Sequence, residues 1–287
     1  YGSAAYGSFD TTHDFIRLDT GEASTGTSAY VSYGFQQANK WKGHGLQKQQ
    51  QVNTKLVQKL GDNARLTAFL NWSARRENDY QDMSLDMINR LGYKWDNISN
   101  NWPLAVQVAN AYLSGTTLPA PFKTVDDAYY NASGLRNDAI GGVTGDWSVM
   151  DNLQLKATFY GHNNTGQGLW YTPYVPTSAL IPGAAPISIR TTEYDIDRKG
   201  VFGHTGGKLG EHNDVTIGFW YERNDFQQAR RFYALSSRTA PSRRSLDFQS
   251  NPFATQWDYD YTTDTFQYYV EDKLTFGDLT LNLGWKG

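Results

Sequence analysis

Apolar and polar residues alternate along much of this chain. In the stretch FQYYVEDKLTFGDLTLNLGWK, Phe266, Tyr268, Val270, Leu274 and Phe276 fall on one parity, and Gln267, Tyr269, Glu271, Lys273 and Thr275 fall on the other. Strict alternation places one set of side chains on each face of an extended strand. After Gly277-Asp278 the pattern resumes with Leu279, Leu281, Leu283 and Trp285 against Thr280, Asn282, Gly284 and Lys286, which predicts a tight hairpin. Further strands are predicted around Ala29, Val31, Tyr33 and Phe35, around Leu66, Ala68, Leu70 and Trp72, and around Val143 and Trp147. The last of these turns at Met150-Asp151-Asn152 into Leu153, Leu155, Ala157 and Phe159, and Val215, Ile217, Phe219 and Tyr221 form one more. Fainter patterns cover Phe9 to Leu18, Gln49 to Leu60 and Asp195 to Thr205.

The connections between these strands alternate in length. Short links at DTGEAST, GDN, MDN, GGKLGEHN and GD are interleaved with a moderate one at NKWKGHG and with long ones over about 77 to 136, 163 to 190 and 230 to 257. In an up-and-down sheet alternate connections lie at the same end, so one rim carries tight turns and the other nearly all the loop mass. Transmembrane barrels have this asymmetry. A soluble sandwich or propeller also alternates apolar and polar residues, but its connections are not expected to sort by length. The expectation is therefore an all-β, antiparallel, up-and-down transmembrane barrel, partial, with about ten strands and long extracellular loops. Within the longest link, Met83, Met87 and Leu91 have helical spacing, as do Leu104, Val108 and Leu113 roughly, which predicts a short helix pair. These apolar positions either pack the loop against itself or form a lid over the mouth.

Composition narrows the class. Aromatic residues make up 15% of the 287 positions, with 19 Tyr and 9 Trp, while mean hydropathy is -0.61. No run approaches the ~20 apolar residues of a membrane helix. The chain has no cysteine, which removes disulfides and thiolate metal sites. A net charge of -3 argues against a nucleic-acid partner. The five histidines, His13, His44, His162, His204 and His212, lack ligand-pair spacing, and no nucleophile or phosphate-binding motif appears, so neither a metal, a cofactor nor a catalytic site is expected.

The hairpin FQYYVEDKLTFGDLTLNLGWK resembles one found in the barrels of TonB-dependent outer-membrane receptors, where an aromatic strand with an acidic residue turns into a strand like LTLNLG. YGSFDTTHDFIRLDTG is similar to that family's early strand, with Gly7-Ser8-Phe9 before it and a turn at Asp19 to Gly21 behind it. The resemblance implies an outer-membrane barrel that takes up a scarce large nutrient, such as a ferric siderophore, cobalamin or an oligosaccharide, with energy from TonB. It also implies contact with outer-membrane lipid and lipopolysaccharide. No plug domain, TonB box or terminal aromatic strand end is visible, and about ten strands stand against the 22 of a plugged transporter. The expectation is that residues 1–287 are an internal stretch of the barrel, with TonB engaged through an N-terminal region lying outside them.

Candidate binding residues lie toward the long-loop rim. Arg230, Arg231, Arg238, Arg243 and Arg244 fall within one predicted loop, and guanidinium groups suit carboxylate, catecholate or phosphate ligands. The same charges suit anionic lipopolysaccharide. Trp170, Tyr171 and Tyr174, among prolines and glycines, are candidates for stacking on a sugar or siderophore ring, or for the core of their own loop. Arg75 is expected in the lumen near the outer end of its strand, and Trp41, Trp72, Trp257 and Tyr259 in an interfacial girdle. A passive porin and a soluble carbohydrate-binding β protein are the alternatives to the ferric-siderophore receptor.

Overall fold

In the computed structural model, which describes residues 1–287, eleven strands form a single antiparallel sheet in strict chain order. They are β1 (Gly2–Gly7), β2 (Thr11–Glu22), β3 (Thr27–Asn39), β4 (Leu46–Leu60), β5 (Ala64–Asn78), β6 (Ala132–Met150), β7 (Leu153–Thr172), β8 (Ser188–Leu209), β9 (Asn213–Ala234), β10 (Ala254–Phe276) and β11 (Leu279–Lys286). Every neighbour along the chain is a neighbour in the sheet, and β1 and β11 are its two edges. This is the up-and-down wall of a partial barrel. No helix is long and apolar enough to cross a membrane.

Cross-strand register shows which residues share a face. One row runs Ala68, Val143, Phe159, Val201, Tyr221, Phe266 across six strands. No second layer of protein covers this apolar row: Phe159 is 64% and Phe266 62% exposed. Large apolar side chains left bare on one whole side of a sheet fit hydrocarbon and not water. The adjacent row on the opposite face runs Phe69, Gly142, Tyr160, Gly200, Glu222, Thr265. Aromatic rings here lie over glycines; a Cβ on Gly142 would stand 2.9 Å from the Phe69 ring, so a larger residue would displace it.

The rim with tight turns holds the links at 23–26, 61–63, 151–152, 210–212 and 277–278. At the other rim the long links are shorter than the sequence pattern predicts, namely 79–131, 173–187 and 235–253, because β6 to β10 continue well past the apolar band. Arg230 and Arg231 therefore lie in β9, and Trp170 and Tyr171 in β7, rather than in loops. Phe9 sits in a tight turn between β1 and β2.

The 79–131 excursion contains the expected helix pair, α1 (Leu85–Leu91) and α2 (Trp102–Ser114). Ser84 caps α1 by accepting from the Met87 amide, and Asn101 caps α2 by accepting from the Leu104 amide, with Gly115 in the left-handed region at the far end. The buried stripe of α2 is Trp102, Ala105, Val108 and Ala109, whereas Leu113 is exposed. These residues share a core with Leu135, Leu169, Ile189 and Tyr233 of the strand extensions. By unbroken register, those four have the parity of Val143, Phe159, Val201 and Tyr221. The excursion thus packs against the continuation of the apolar face and not across the polar one.

A buried ion pair fastens it to the β3–β4 tip. Lys40 bonds the Asp96 carboxylate, and its ammonium also donates to the Asp79 carbonyl at 2.7 Å. Removing the largest apolar side chain of this core should loosen the excursion alone. Trp102→Ala is expected to cost it about 3–5 kcal/mol, measured by hydrogen exchange as lost protection over residues 98–128 with the amides of the apolar band unchanged.

Candidate functional site

The polar face of β6 to β10, above the apolar band, is a ladder of aromatic and cationic residues. Its uppermost row is Trp170, Arg190 and Phe232, followed by Thr192, Arg230 and Trp257, and then by Arg136, Gly166, Tyr194, Gln228 and Tyr259. The Arg190 guanidinium lies 5.3 Å from the centre of the Trp170 ring and 5.4 Å from that of Tyr174. Arg230 lies 5.3 Å over Trp257. Trp257, Tyr259 and Tyr261 follow one another at centroid separations of 5.4 and 6.1 Å. Arg136 donates to the Tyr194 hydroxyl at 2.7 Å.

Arg190 and Arg230 are in diagonal positions on adjacent strands, and the buried Nε of each has no hydrogen-bond partner. Arg230 reaches only the Thr192 hydroxyl, at 3.4 Å, and neither guanidinium pairs with a carboxylate. Arg231, one residue along, points the opposite way and is neutralised by Glu193 at 2.8 Å and Asp258 at 2.6 Å. A pair of unneutralised cations between faces of Trp and Tyr is chemically suited to a large anion with flat or π-rich parts.

Below this vestibule the polar face forms a trough of about 910 Å³, lined among others by Tyr160, Arg198, Trp220, Glu222 and Tyr269. Tyr160 donates to Glu222 at 2.6 Å and accepts from the Trp220 indole at 2.8 Å. His162 joins Asp138, at 3.1 Å from Nε2, to Arg198, whose Nε donates to Nδ1 at 3.0 Å. No group of three or more His, Asp or Glu is placed to hold a metal.

The sequence candidates disperse. Trp170 and Arg230 enter the vestibule, and Tyr174 borders it, its hydroxyl bonded to Asp126 and lying 3.3 Å from that of Tyr129. Arg75 is on the polar face of β5, farther round the wall, paired with Glu77 at 2.6 Å. Tyr171 is buried on the other face, its hydroxyl donating to the Arg243 carbonyl at 2.9 Å. Arg243 braces its loop by donating to the carbonyls of Ala234 and Ser250. Arg238 bonds Asn110 of α2, and Arg244 is exposed with Asp247 at 3.9 Å. Trp257 and Tyr259, expected in an outward girdle, face the polar side instead; Trp72 does carry the apolar parity. Arg190, Arg136 and Tyr194 were missed, though WDYDY at 257–261 already placed three aromatics on one parity.

Solved structures share this architecture. The chain aligns over 99% of its length with 36% of Pseudomonas aeruginosa FpvA bound to heterologous pyoverdines, at TM-score 0.67 and 12% identity. It aligns over 99% with 36% of the unliganded ferric citrate transporter FecA, at TM-score 0.64 and 11% identity, and over 96% with 31% of the RagAB peptide transporter, at TM-score 0.56 and 11% identity. The fold is that of the barrel wall in these proteins. The chain spans little more than a third of the first two of these. No protein-family model matches the sequence, and no curated protein does.

The excursion's electrostatics lie outside the apolar band. Burial alone would raise the Asp127 carboxyl, but Arg90, at 3.0 and 3.1 Å, and the amides of Lys123 and Thr124 hold it below the usual range. Asp79, next to the Arg75–Glu77 pair, is pushed up to about 6, first by burial and then by the Glu77 carboxylate. The raised value means that Asp79 contributes stability that is complete below its unfolded pKa of about 4 and is lost as pH rises through 6. Asp79→Asn should therefore stabilise the 79–98 segment at pH 8, by about 1–2 kcal/mol after solvent screening, and have no effect at pH 4. Hydrogen exchange at the two pH values reads the difference; equal effects at both would contradict it.

Proposed function

We propose that this chain is part of an outer-membrane receptor that captures a scarce, large, anionic nutrient at its outer vestibule and passes it inward with energy from TonB. A ferric siderophore is the ligand class that the site suits best. The observation carrying this reading is the unneutralised Arg190–Arg230 pair, held between Trp170, Tyr174 and Trp257 on the lumenal face. A ferric catecholate or citrate-type chelate brings both anionic oxygens and a compact, partly flat body. Guanidinium groups meet the former with directed N–H donors and the rings meet the latter by stacking. The match to a peptide transporter as well as to a ferric citrate transporter means that the fold leaves the ligand open, so the choice rests on these side chains. A soluble sugar-binding protein fits poorly, because the apolar face is bare over its whole width.

In the full-length receptor, Arg190→Gln together with Arg230→Gln should weaken binding of ferric catecholate or ferric citrate about 100-fold, while Lys199→Gln, on the other face, leaves it unchanged. Binding of neutral cobalamin or an oligosaccharide should not respond. Radiolabelled iron uptake should stop without TonB while surface binding persists; uptake that continues without TonB would instead identify a passive channel.

A further inference from the structure

Two phenols and a carboxylate meet at the edge of the vestibule, and the capture of an anionic nutrient makes no use of their oxygens. Asp126 lies on a one-turn 3-10 helix, Val125–Ala128, and Tyr129 is its C-terminal cap. Three residues per turn bring side chains at this spacing one above the other, and the Tyr129 hydroxyl donates to Asp126 Oδ1 at 2.6 Å. Tyr174, from the link after β7, donates to the same oxygen. The two hydroxyl oxygens are 3.3 Å apart. Three oxygens from two separate segments thus converge on one point.

The frame around them is firm. Thr124 and Asp127 close a capping box across the turn, and Asp127 is buried against Arg90. Asp127 therefore holds the turn, while the Asp126 carboxylate is met by phenols and by no cation. The Tyr174 ring stands edge-on to Tyr112 of α2 at 6.1 Å, and the Arg190 guanidinium lies 5.4 Å from its centre.

Oxygens bound side by side to a small octahedral cation at about 2.0 Å stand about 2.8 Å apart. The Asp126–Tyr129 and Tyr129–Tyr174 separations lie on either side of that value. Calcium and magnesium favour carboxylates, carbonyls and water, whereas displacing phenol protons near neutral pH takes a more strongly polarising ion. Two phenolates and one carboxylate supply three negative charges, which balance a trivalent cation.

The geometry points to a ferric-ion site formed by Asp126, Tyr129 and Tyr174, with Arg190 holding a small bidentate anion such as carbonate in further coordination positions. The Arg190 Nε has no partner in the protein, and its charge favours an anion beside the metal. On binding, two Fe–O bonds form as two phenol O–H bonds break; both protons pass to solvent and the iron stays ferric. The site goes beyond the siderophore reading because the chain's own oxygens ligate the metal. It suits iron in weak chelates that leave coordination positions open.

The test titrates the full-length receptor, in detergent and bicarbonate buffer, with ferric nitrilotriacetate and no siderophore. A phenolate-to-iron charge-transfer band should grow in the visible spectrum and saturate at a single iron per chain. Tyr129→Phe keeps the ring and removes only the ligand oxygen; it should lower ferric affinity about 100-fold. Tyr129→Phe with Tyr174→Phe should abolish the band, and Tyr112→Phe, whose hydroxyl lies outside the cluster, should leave it intact. Hydrogen exchange over residues 98–128 should match the unaltered receptor in each variant, which separates a lost ligand from a lost fold. No band in the unaltered receptor, or a band that survives the double variant, overturns the site. Either result leaves the nutrient reading standing, because that reading is judged by TonB-dependent uptake.

Discussion

Within hydrocarbon there is no water to satisfy a peptide group, so every strand that crosses must give its N–H and C=O groups to its neighbours. That requirement fixes the register, and the register fixes the face of every side chain. From β5 to β9 the pairing between the apolar band and the outer tips is unbroken. Parity therefore carries one meaning along the whole height of these strands. Phe159 in the band and Leu169 beneath α2 lie on one side, and Trp170, Arg190 and Arg230 lie on the other. The helical excursion and the vestibule are both positioned by this single constraint.

The same reasoning explains which parts of the fold are legible in the sequence. Alternation is visible wherever one face meets lipid and the other water, as at Leu66 to Trp72 or Val215 to Tyr221. It fades where that contrast ends. Residues 163–172, NNTGQGLWYT, extend β7 above the band, where Gln167 and Leu169 meet the overlying loop and helix while Gly166 and Gly168 face the vestibule. Neither face is uniform, so the period disappears although the strand persists. In β10 the register is unbroken from Trp257 to Leu274, so Trp257, Tyr259 and Tyr261 fall on the parity opposite to Phe266 and Tyr268 and face the polar side, which a reading of tryptophans near strand ends as a girdle does not detect. The buried stripe of α2 relies on Ala105 and Ala109, small residues that bring the helix close but give little hydropathy signal.

The arginines show why proximity in sequence is a poor guide to a site. Arg230 and Arg231 are adjacent, yet the strand sends one into the vestibule and the other into a salt-bridged network with Glu193 and Asp258. Arg238 and Arg243 use their five-donor forks on carbonyls and an amide oxygen, holding loops in place. Arg190, which stands alone in the sequence, completes the vestibule from the neighbouring strand. A useful signal is the lack of an acidic residue on the same face within reach, and that is read from register, not from local composition.

An arginine pair with no carboxylate partner is costly to keep, because two like charges repel and their unbonded donors have lost water. Stability alone would favour a carboxylate across the strand, which Glu193 of β8 and Asp258 of β10 supply to Arg231 on the outward face. Its absence on the inward face is a departure from the pattern that the same strand follows one residue away. Such local conflicts are expected where binding, and not folding, sets the residue. The aromatic faces of Trp170, Tyr174 and Trp257 partly offset the cost by accepting the guanidinium groups in cation–π contacts. That holds the cations in place and leaves N–H donors uncommitted, so an incoming anion meets a rigid pair whose repulsion it relieves on arrival.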